Sequence, residues 1–444
     1  MTSFFSSIPD AWRSAPLKLV TNFLGRGSAP NYVDDGPIHA VNQAVNRGSN
    51  LDWSKGKFQE FSDNPKRLKG FLKPSDVIIN STGTGTLGRV GFFEASPDGR
   101  PAVADGHLTI VRPRENDLFS RYAYYVLSSR PFYDFMYSSM VVGSTNQIEL
   151  SRERLGSASV PLPPLEEQRR IAKFLDSEGA RIDHTLEVRR QQLDLLEERS
   201  MSLISERLVP GVVGDAVGNF PFPWFSNIEG GLPVVRLGYV CGIQGGITVD
   251  SSRKLSDSDV TRPYLRVANV KADCLDLDSV SVITVPKSIA DGSTLRPGDV
   301  LMTEGGDIDK LGRGVVWRGE ISGALHQNHI FALRPDKKQL DAEYLSLLTR
   351  SFHGRCYFEA TGVRSTNLAS TSSSKVRSFP IPLPSLEGQK QAVKEVNEGL
   401  LVVTRIRSVL RRQIDLLEER KRALITAAVT GQIDVTTARG ADLS

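Results

Sequence analysis

Two stretches of this chain recur at a fixed distance, and that recurrence limits the folds open to it. Pro161-Leu162-Pro163-Pro164-Leu165-Glu166-Glu167-Gln168 corresponds to Pro382-Leu383-Pro384-Ser385-Leu386-Glu387-Gly388-Gln389, with Leu162 answering Leu383, an offset of 221. Gln192-Leu193-Asp194-Leu195-Leu196-Glu197-Glu198-Arg199 corresponds to Gln413-Ile414-Asp415-Leu416-Leu417-Glu418-Glu419-Arg420, again at 221. No residue is inserted between the two matches. Looser echoes precede them: Leu72-Lys73-Pro74-Ser75-Asp76-Val77 and Leu295-Arg296-Pro297-Gly298-Asp299-Val300; Leu87-Gly88-Arg89 and Leu311-Gly312-Arg313. His107 with Arg112-Pro113 answers His329 with Arg334-Pro335, and Ser144-Thr145-Asn146 answers Ser365-Thr366-Asn367. Twice 221 nearly exhausts 444 residues, so the chain reads as two copies of one unit. That length is also too great for a single core.

Each copy ends in a helix. No proline falls between Leu165 and Leu208, and apolar residues recur on alternating three- and four-residue steps. The first seam is Leu175, Ile182, Leu186, Leu193, Leu196 and Leu203; the second is Val396, Leu400, Val403, Leu410, Ile414, Leu417 and Leu424. Arg189 and Ser200 interrupt the first, Arg407 and Lys421 the second. So narrow a seam expects another helix as partner, and two such helices close most simply as an antiparallel pair. Pro163 and Pro164 give an extended lead-in, Glu166 and Glu167 suit the positive helix start, and Pro210-Gly211 and Gly431 stop the helices. Leu195 and Leu416 lie just off the seam and leave room for a further helix from a partner.

The remainder reads as mixed α/β: strand-like runs at 77–79, 90–93, 108–111, 300–302 and 315–317, and helix-like runs at 121–127 and 342–348. The expected division is a domain over 1–160, a helical spacer over 161–211, a second domain over 212–378, a second spacer over 379–435 and a tail over 436–444. Strand order is not derivable from the sequence.

Composition permits an anionic partner without demanding one. The formal net charge is +4, with 39% apolar and 24% charged residues. No apolar run approaches the roughly 20 residues of a membrane span. Met1–Asp10 has neither a basic start nor a small-residue cleavage site, so no signal peptide is expected. Cys241, Cys274 and Cys356 are scattered, which fits a reducing cytosol better than a disulfide framework.

Catalytic and metal motifs fare poorly. Gly83-Thr84-Gly85-Thr86-Leu87-Gly88 matches a dinucleotide fingerprint, but a strand-like run follows it rather than a helix, and the second copy does not keep the spacing. A tight hairpin-like loop is the better reading. His326 with His329, and His353 with Cys356, lack further ligands in sequence, so structural roles are expected; the same holds for His107, His329, Asn146 and Asn367. No catalytic, cofactor-binding or metal residue is assigned. What remains is basic-plus-aromatic sequence: Trp53, Lys55, Lys57, Phe58, Phe61, Lys66, Arg67, Lys69 and Phe71 in the first copy, and Arg253, Lys254, Arg262, Tyr264, Arg266 and Lys271 in the second. Such stretches neutralise phosphates while loop residues read base edges. On repeat equivalence, Arg89 with Arg313 and Lys73 with Arg296 are assigned to phosphates, and Thr82, Thr84 and Lys310 to base edges.

The pattern resembles the specificity (S) subunits of type I restriction-modification systems. A variable domain, P-L-P-P-L-E-E-Q, and a long helix ending in L-L-E-E-R are duplicated once, across essentially the whole chain. The resemblance implies two target-recognition domains joined by antiparallel helices, each reading half of an asymmetric double-stranded DNA site. It implies no catalysis in this chain. Two modification subunits would supply S-adenosylmethionine and restriction subunits ATP and Mg, in the cytoplasm. Three alternatives stay open: an orphan or stand-alone methylation-system recognition module, a coiled-coil scaffold that does not read sequence, and an enzyme using the glycine loop.

Overall fold

The structure is a computed structural model describing residues 8–48, 50–61, 63–83, 85–143, 148–210, 232–249, 256, 259–271, 273–306, 311–364 and 369–435. It divides into two compact units, residues 1–189 with 412–444, and residues 190–411. The helices are α1 (Ser120–Ser128), α2 (Arg130–Ser139), α3 (Arg152–Ser157), α4 (Leu165–Leu208), α5 (Lys287–Ser293), α6 (Ala342–Arg350), α7 (Phe352–Thr361), α8 (Ser373–Arg377) and α9 (Leu386–Val429).

Each unit is built on the same antiparallel four-stranded sheet. In the first the spatial order is Thr21–Arg26, Leu108–Pro113, Asp76–Asn80, Val90–Phe93. In the second it is Cys241–Gly245, Ile330–Pro335, Val300–Thr303, Gly314–Val316. The middles of the central strands, Val77-Ile78-Ile79 and Val300-Leu301-Met302, are apolar without interruption because both faces are covered. Val77 and Ile79 pack with α1 and α2, while Ile78 faces a second cluster with Val41, Phe93 and Ile110. Val300 and Met302 pack with α6 and α7, while Leu301 faces Trp317, Ile330 and Ala332. A smaller mixed sheet lies over each second cluster. It comprises Tyr32–Val33, Lys57–Gln59, Ile38–Val41 and Ala102–Ala104 in one unit, and Ser281–Pro286, Asp259–Leu265 and Leu325–His326 in the other.

The repeated motifs are structural staples. Asp76 is fully buried and takes two hydrogen bonds from Arg112, at 2.7 and 2.6 Å, plus the backbone N–H of Lys73 at 2.7 Å. Asp299 takes two from Arg334 at 2.7 Å each and the backbone N–H of Arg296 at 2.8 Å. Gln168 accepts from the Phe119 N–H at 2.8 Å and donates to the carbonyls of Asp117 and Pro163, fastening the start of α4 to the loop before α1. Gln389 does the same with Asp341, Gln339 and Pro384.

The proline-rich segment is more than a lead-in. Ser159–Leu162 pairs antiparallel with Arg13–Pro16, and Pro380–Pro382 with Val234–Arg236. These two strand pairs include the first residues of the repeated motif, Pro161-Leu162 and Pro382.

The two 44-residue helices α4 and α9 pack together. Within the first unit Lys421 bonds both carboxylate oxygens of Asp183, at 2.6 and 2.7 Å. Within the second, Arg407 donates to Glu197 at 2.7 Å and Arg207 lies 3.4 Å from Glu395. Partner numbers fall along one helix as they rise along the other, so the pairing is antiparallel. Leu175, Ile182, Leu186, Val396, Val403 and Leu410 are buried; Leu193, Leu196, Leu203, Leu400, Ile414, Leu417 and Leu424 are half-buried. The seam is shared with the domain cores. Ile171, Ala172 and Leu175 from the start of α4 join the first core beside Ala428 and Val429 from the end of α9. Ile204 and Leu208 from the end of α4 join the second core beside Val396. The periodicity alone hides this, because a seam contact and a core contact have the same spacing. Gly431, at φ 73°, ends α9.

Candidate nucleic-acid interface

Three segments meet at one end of the main sheet in each unit. In the first, the Ser81 N–H bonds the His107 carbonyl and the Leu150 N–H bonds the Ser81 carbonyl, both at 2.8 Å. In the second, the Glu304 N–H bonds the His329 carbonyl and the Thr371 N–H bonds the Glu304 carbonyl, at the same distance. The repeat thus builds the same platform twice. The Ser-Thr-Asn echoes, with Asn146 and Asn367, lie outside the described residues.

Glycine geometry forces the loop's shape. Its flanking strands pair antiparallel, Asp76 opposite Phe93, which makes the Gly-x-Gly-x-x-Gly segment a hairpin loop. Leu87 and Leu311 anchor each loop in the core. Gly88 and Gly312 have φ of 78° and 77°. A β-carbon at Gly88 would lie 2.1 Å from Met136 Cε of α2, and one at Gly312 2.1 Å from the Phe358 ring of α7. Only glycine fits there, which explains the Leu-Gly-Arg echo.

The first platform carries a connected polar group. Gln43 Nε2 donates to the carbonyl and hydroxyl of Thr82, at 2.5 and 2.7 Å, and the Thr82 hydroxyl lies 2.7 Å from His107 Nδ1. Asp105 accepts from the His107 N–H at 2.8 Å and from the Tyr32 hydroxyl at 3.0 Å. Burial raises the Asp105 pKa; burial, then the Asp105 charge, raises that of Tyr32. Arg26 pairs with Glu149 at 2.5 Å and braces the third segment. In the second platform His329 Nδ1 meets Glu304 at 2.8 Å. Donors and acceptors of these kinds can pair with base edges. Sequence reasoning missed Gln43, Arg26 and Glu149, because each lies far along the chain from its partner and has no echo in the other copy.

The predicted phosphate contacts are dispersed. Lys55, Lys57, Lys66, Lys73, Arg266 and Arg296 are exposed. Arg67 is exposed but pairs with Asp63 at 2.7 Å. Arg89 donates to the Asn46 carbonyl at 3.0 Å. Arg313 is largely buried, 3.9 Å from Glu197 of α4. Thr84, Arg253, Lys254 and Lys310 lie outside the described residues. The aromatic half of the predicted patch turns inward. Trp53 packs edge-on against Phe93 and His39, Phe58 lies on His39 under Arg100, and Tyr264 is buried with its hydroxyl on the Ile247 carbonyl at 2.7 Å. Trp53 and Tyr264 belong to core clusters and Phe58 is half-buried, which leaves the basic side chains as the exposed component. His326 and His353 bond the carbonyls of Ile330 and Pro380, at 2.9 and 2.7 Å.

A family model for the type I restriction modification DNA specificity domain matches residues 45–195. The chain is 22% identical over 440 residues to the type I restriction enzyme StySPI specificity subunit of Salmonella potsdam, covering 96% of this chain and 90% of that one. It is 23% identical over 443 residues to the EcoKI specificity subunit of Escherichia coli strain K12, with the same coverage. A chain from a solved structure concerned with complex assembly and conformational transition of the type I R-M system has a TM-score of 0.68. It is 18% identical and covers 96% of this chain and 99% of that chain. The fold is therefore shared with that chain: a duplicated mixed α/β domain with two long helices. The sequence matches make the chain similar to the specificity subunits of type I restriction-modification systems.

Proposed function

We propose that this chain is the DNA-reading subunit of a type I restriction-modification complex. Each unit reads one half of an asymmetric, two-part site in double-stranded DNA, and bases between the halves go unread. The observation that supports this best is the platform built twice from the same three segments on separate cores, with a histidine common to both and different polar partners around it: Thr82 and Gln43 beside His107, Glu304 beside His329. Polar groups that differ on an identical frame are what two different half-sites require. The exposed lysines and arginines supply phosphate contacts that set register without specifying sequence.

The chain itself is non-catalytic in this reading. Two modification subunits dock on the helix pair, where Leu195 and Leu416 are exposed, together with Val402, Ile406 and Val409 of α9. S-adenosylmethionine sits on those subunits, and ATP and Mg on restriction subunits, in the cytoplasm. Among the described residues no helix is long and apolar enough to cross a membrane. The test is methyl transfer. The purified chain with S-adenosylmethionine and DNA transfers nothing; with modification subunits it directs methylation to one two-part motif. Transfer by the chain alone, or methylation without sequence preference, contradicts the reading.

A further inference from the structure

Each unit holds a recess between its domain and its part of the helix pair. The two recesses correspond under the 221-residue offset: Gly179, Asp183, Lys421 and Ile425 in the first stand where Leu400, Thr404, Ser200 and Ile204 stand in the second. Their charges have diverged. In the first, Arg121 and Lys421 face Asp176, Glu178 and Asp183. It is closed from within: Arg121 pairs with Asp176 at 2.7 Å and lies over the rings of Phe92, Tyr124 and Tyr125, and Lys421 pairs with Asp183.

Among the described residues, the second recess, of about 320 Å³, is lined by Arg313, Arg350, Arg407 and Arg411, with Glu197 and Asp273 as its acidic groups. Glu197 pairs with Arg407 at 2.7 Å and lies 3.9 Å from Arg313. Neither Arg350 nor Arg411 makes an ion pair or hydrogen bond among the described residues. Burial, helped by the charge of Arg313, lowers the Arg350 pKa against the opposite pull of Asp273. Holding a recessed guanidinium beside other guanidiniums is costly without an anion to share them. A phosphate group suits this lining, since it offers several oxygens to planar, forked donors and carries the charge the lining lacks.

We propose that the arginine-lined recess formed by Arg313, Arg350, Arg407 and Arg411 is a phosphate-binding site, present in the second unit and replaced by internal ion pairs in the first. The phosphate chemistry stands on the recess alone. That DNA supplies the phosphate rests on the reading proposed above; a free phosphate compound is the other source.

The test uses the full chain with pyrophosphate as probe, then duplex DNA. Millimolar pyrophosphate raises the Tm of the second unit's transition by about 2–4 °C, the shift expected for roughly 1 kcal/mol of ligand stabilisation in a unit of about 220 residues. Arg350→Met raises the Tm measured without anion, because it removes a repelled charge, and abolishes the pyrophosphate effect. Arg411→Gln, at an exposed helix position, weakens the effect without threatening the fold. Arg121→Met, in the other recess, leaves it intact. If a DNA phosphodiester occupies the site, Arg350→Met also weakens binding to all duplexes alike and reduces the salt slope by about 1. If pyrophosphate stabilises and the salt slope is unchanged, the site takes free phosphate. No pyrophosphate effect together with an unchanged slope overturns the proposal. A pyrophosphate effect in a chain that directs no sequence-selective methylation leaves the recess standing and removes only the DNA reading.

Discussion

Arg334 closes a two-pronged ion pair on the buried carboxylate of Asp299, Nε to Oδ1 and Nη2 to Oδ2, at 2.7 Å each. Arg112 does the same to Asp76 in the first unit. The pair ties two neighbouring strands to the turn that precedes one of them. Asp299→Ala leaves a half-buried guanidinium without its partner and is expected to cost about 3 kcal/mol, at the low end for broken buried pairs because Arg334 can reach water. Each unit has its own core, so the loss appears as an early transition in denaturant while the first unit unfolds where it did. A single unshifted transition contradicts this.

The two glycines before the loop arginines differ in what they face. Alanine at Gly312 meets the ring of Phe358, packed among Tyr357 and Phe379; alanine at Gly88 meets the flexible end of Met136. Both carry the strain of a positive φ. Gly312→Ala adds an overpacking cost of roughly 1–3 kcal/mol that methionine largely escapes by rotating away. Urea midpoints of the two variants should therefore fall in that order. Equal losses would mean the ring yields as easily as the thioether.

Burial pushes the His353 pKa down to about 4, against an ordinary 6.5. The unfolded chain takes up a proton on this residue as pH falls below about 6.5, while the folded chain stays neutral until about 4. The stability held with His353 neutral is complete above 6.5 and drains away between those values. The full difference is on the order of 3 kcal/mol. His326, also lowered by burial, drains in the same direction. The stability of the second unit followed from pH 7 to pH 4 should drop, and His353→Gln should flatten the slope. A slope unchanged by the substitution refutes the assignment.

The helix pair sets the unread spacer in this account. Seven residues added at matching points of α4 and α9 preserve the 3.5-residue seam and lengthen each helix by roughly 10 Å. The methylated motif should keep both half-sites and gain up to about three base pairs between them, given about 3.4 Å per base pair. Two added residues break the seam and lower stability instead. An unchanged spacer in a folded, active seven-residue variant shows that something else sets the distance.

The duplication, the helix bounds and the strand runs were legible because each rests on local spacing. Proline exclusion and a three-four step mark Leu165–Leu208 without any tertiary information. The echoes were legible as echoes, but their reasons were not: Asp76 meets Arg112 from 36 residues away, and Gly88 is defined by Met136. The inward turn of Trp53 and Phe58 was hidden because an aromatic between lysines has the same sequence signature whether it faces core or DNA. The arginine recess was invisible for the same kind of reason. Arg313, Arg350, Arg407 and Glu197 come from four separate segments, and only folding brings them together.

The central claim is that each domain reads its own half-site, and a domain exchange tests it most directly. Residues 1–162, ending with the strand that pairs with Arg13–Pro16, are replaced by the corresponding domain of another specificity subunit. The methylated motif is then read from DNA of cells carrying the chimera with modification subunits. The account predicts one new half-site, with the other half-site and the spacer length unchanged. A change in both half-sites, in a chimera that still directs methylation, would contradict it.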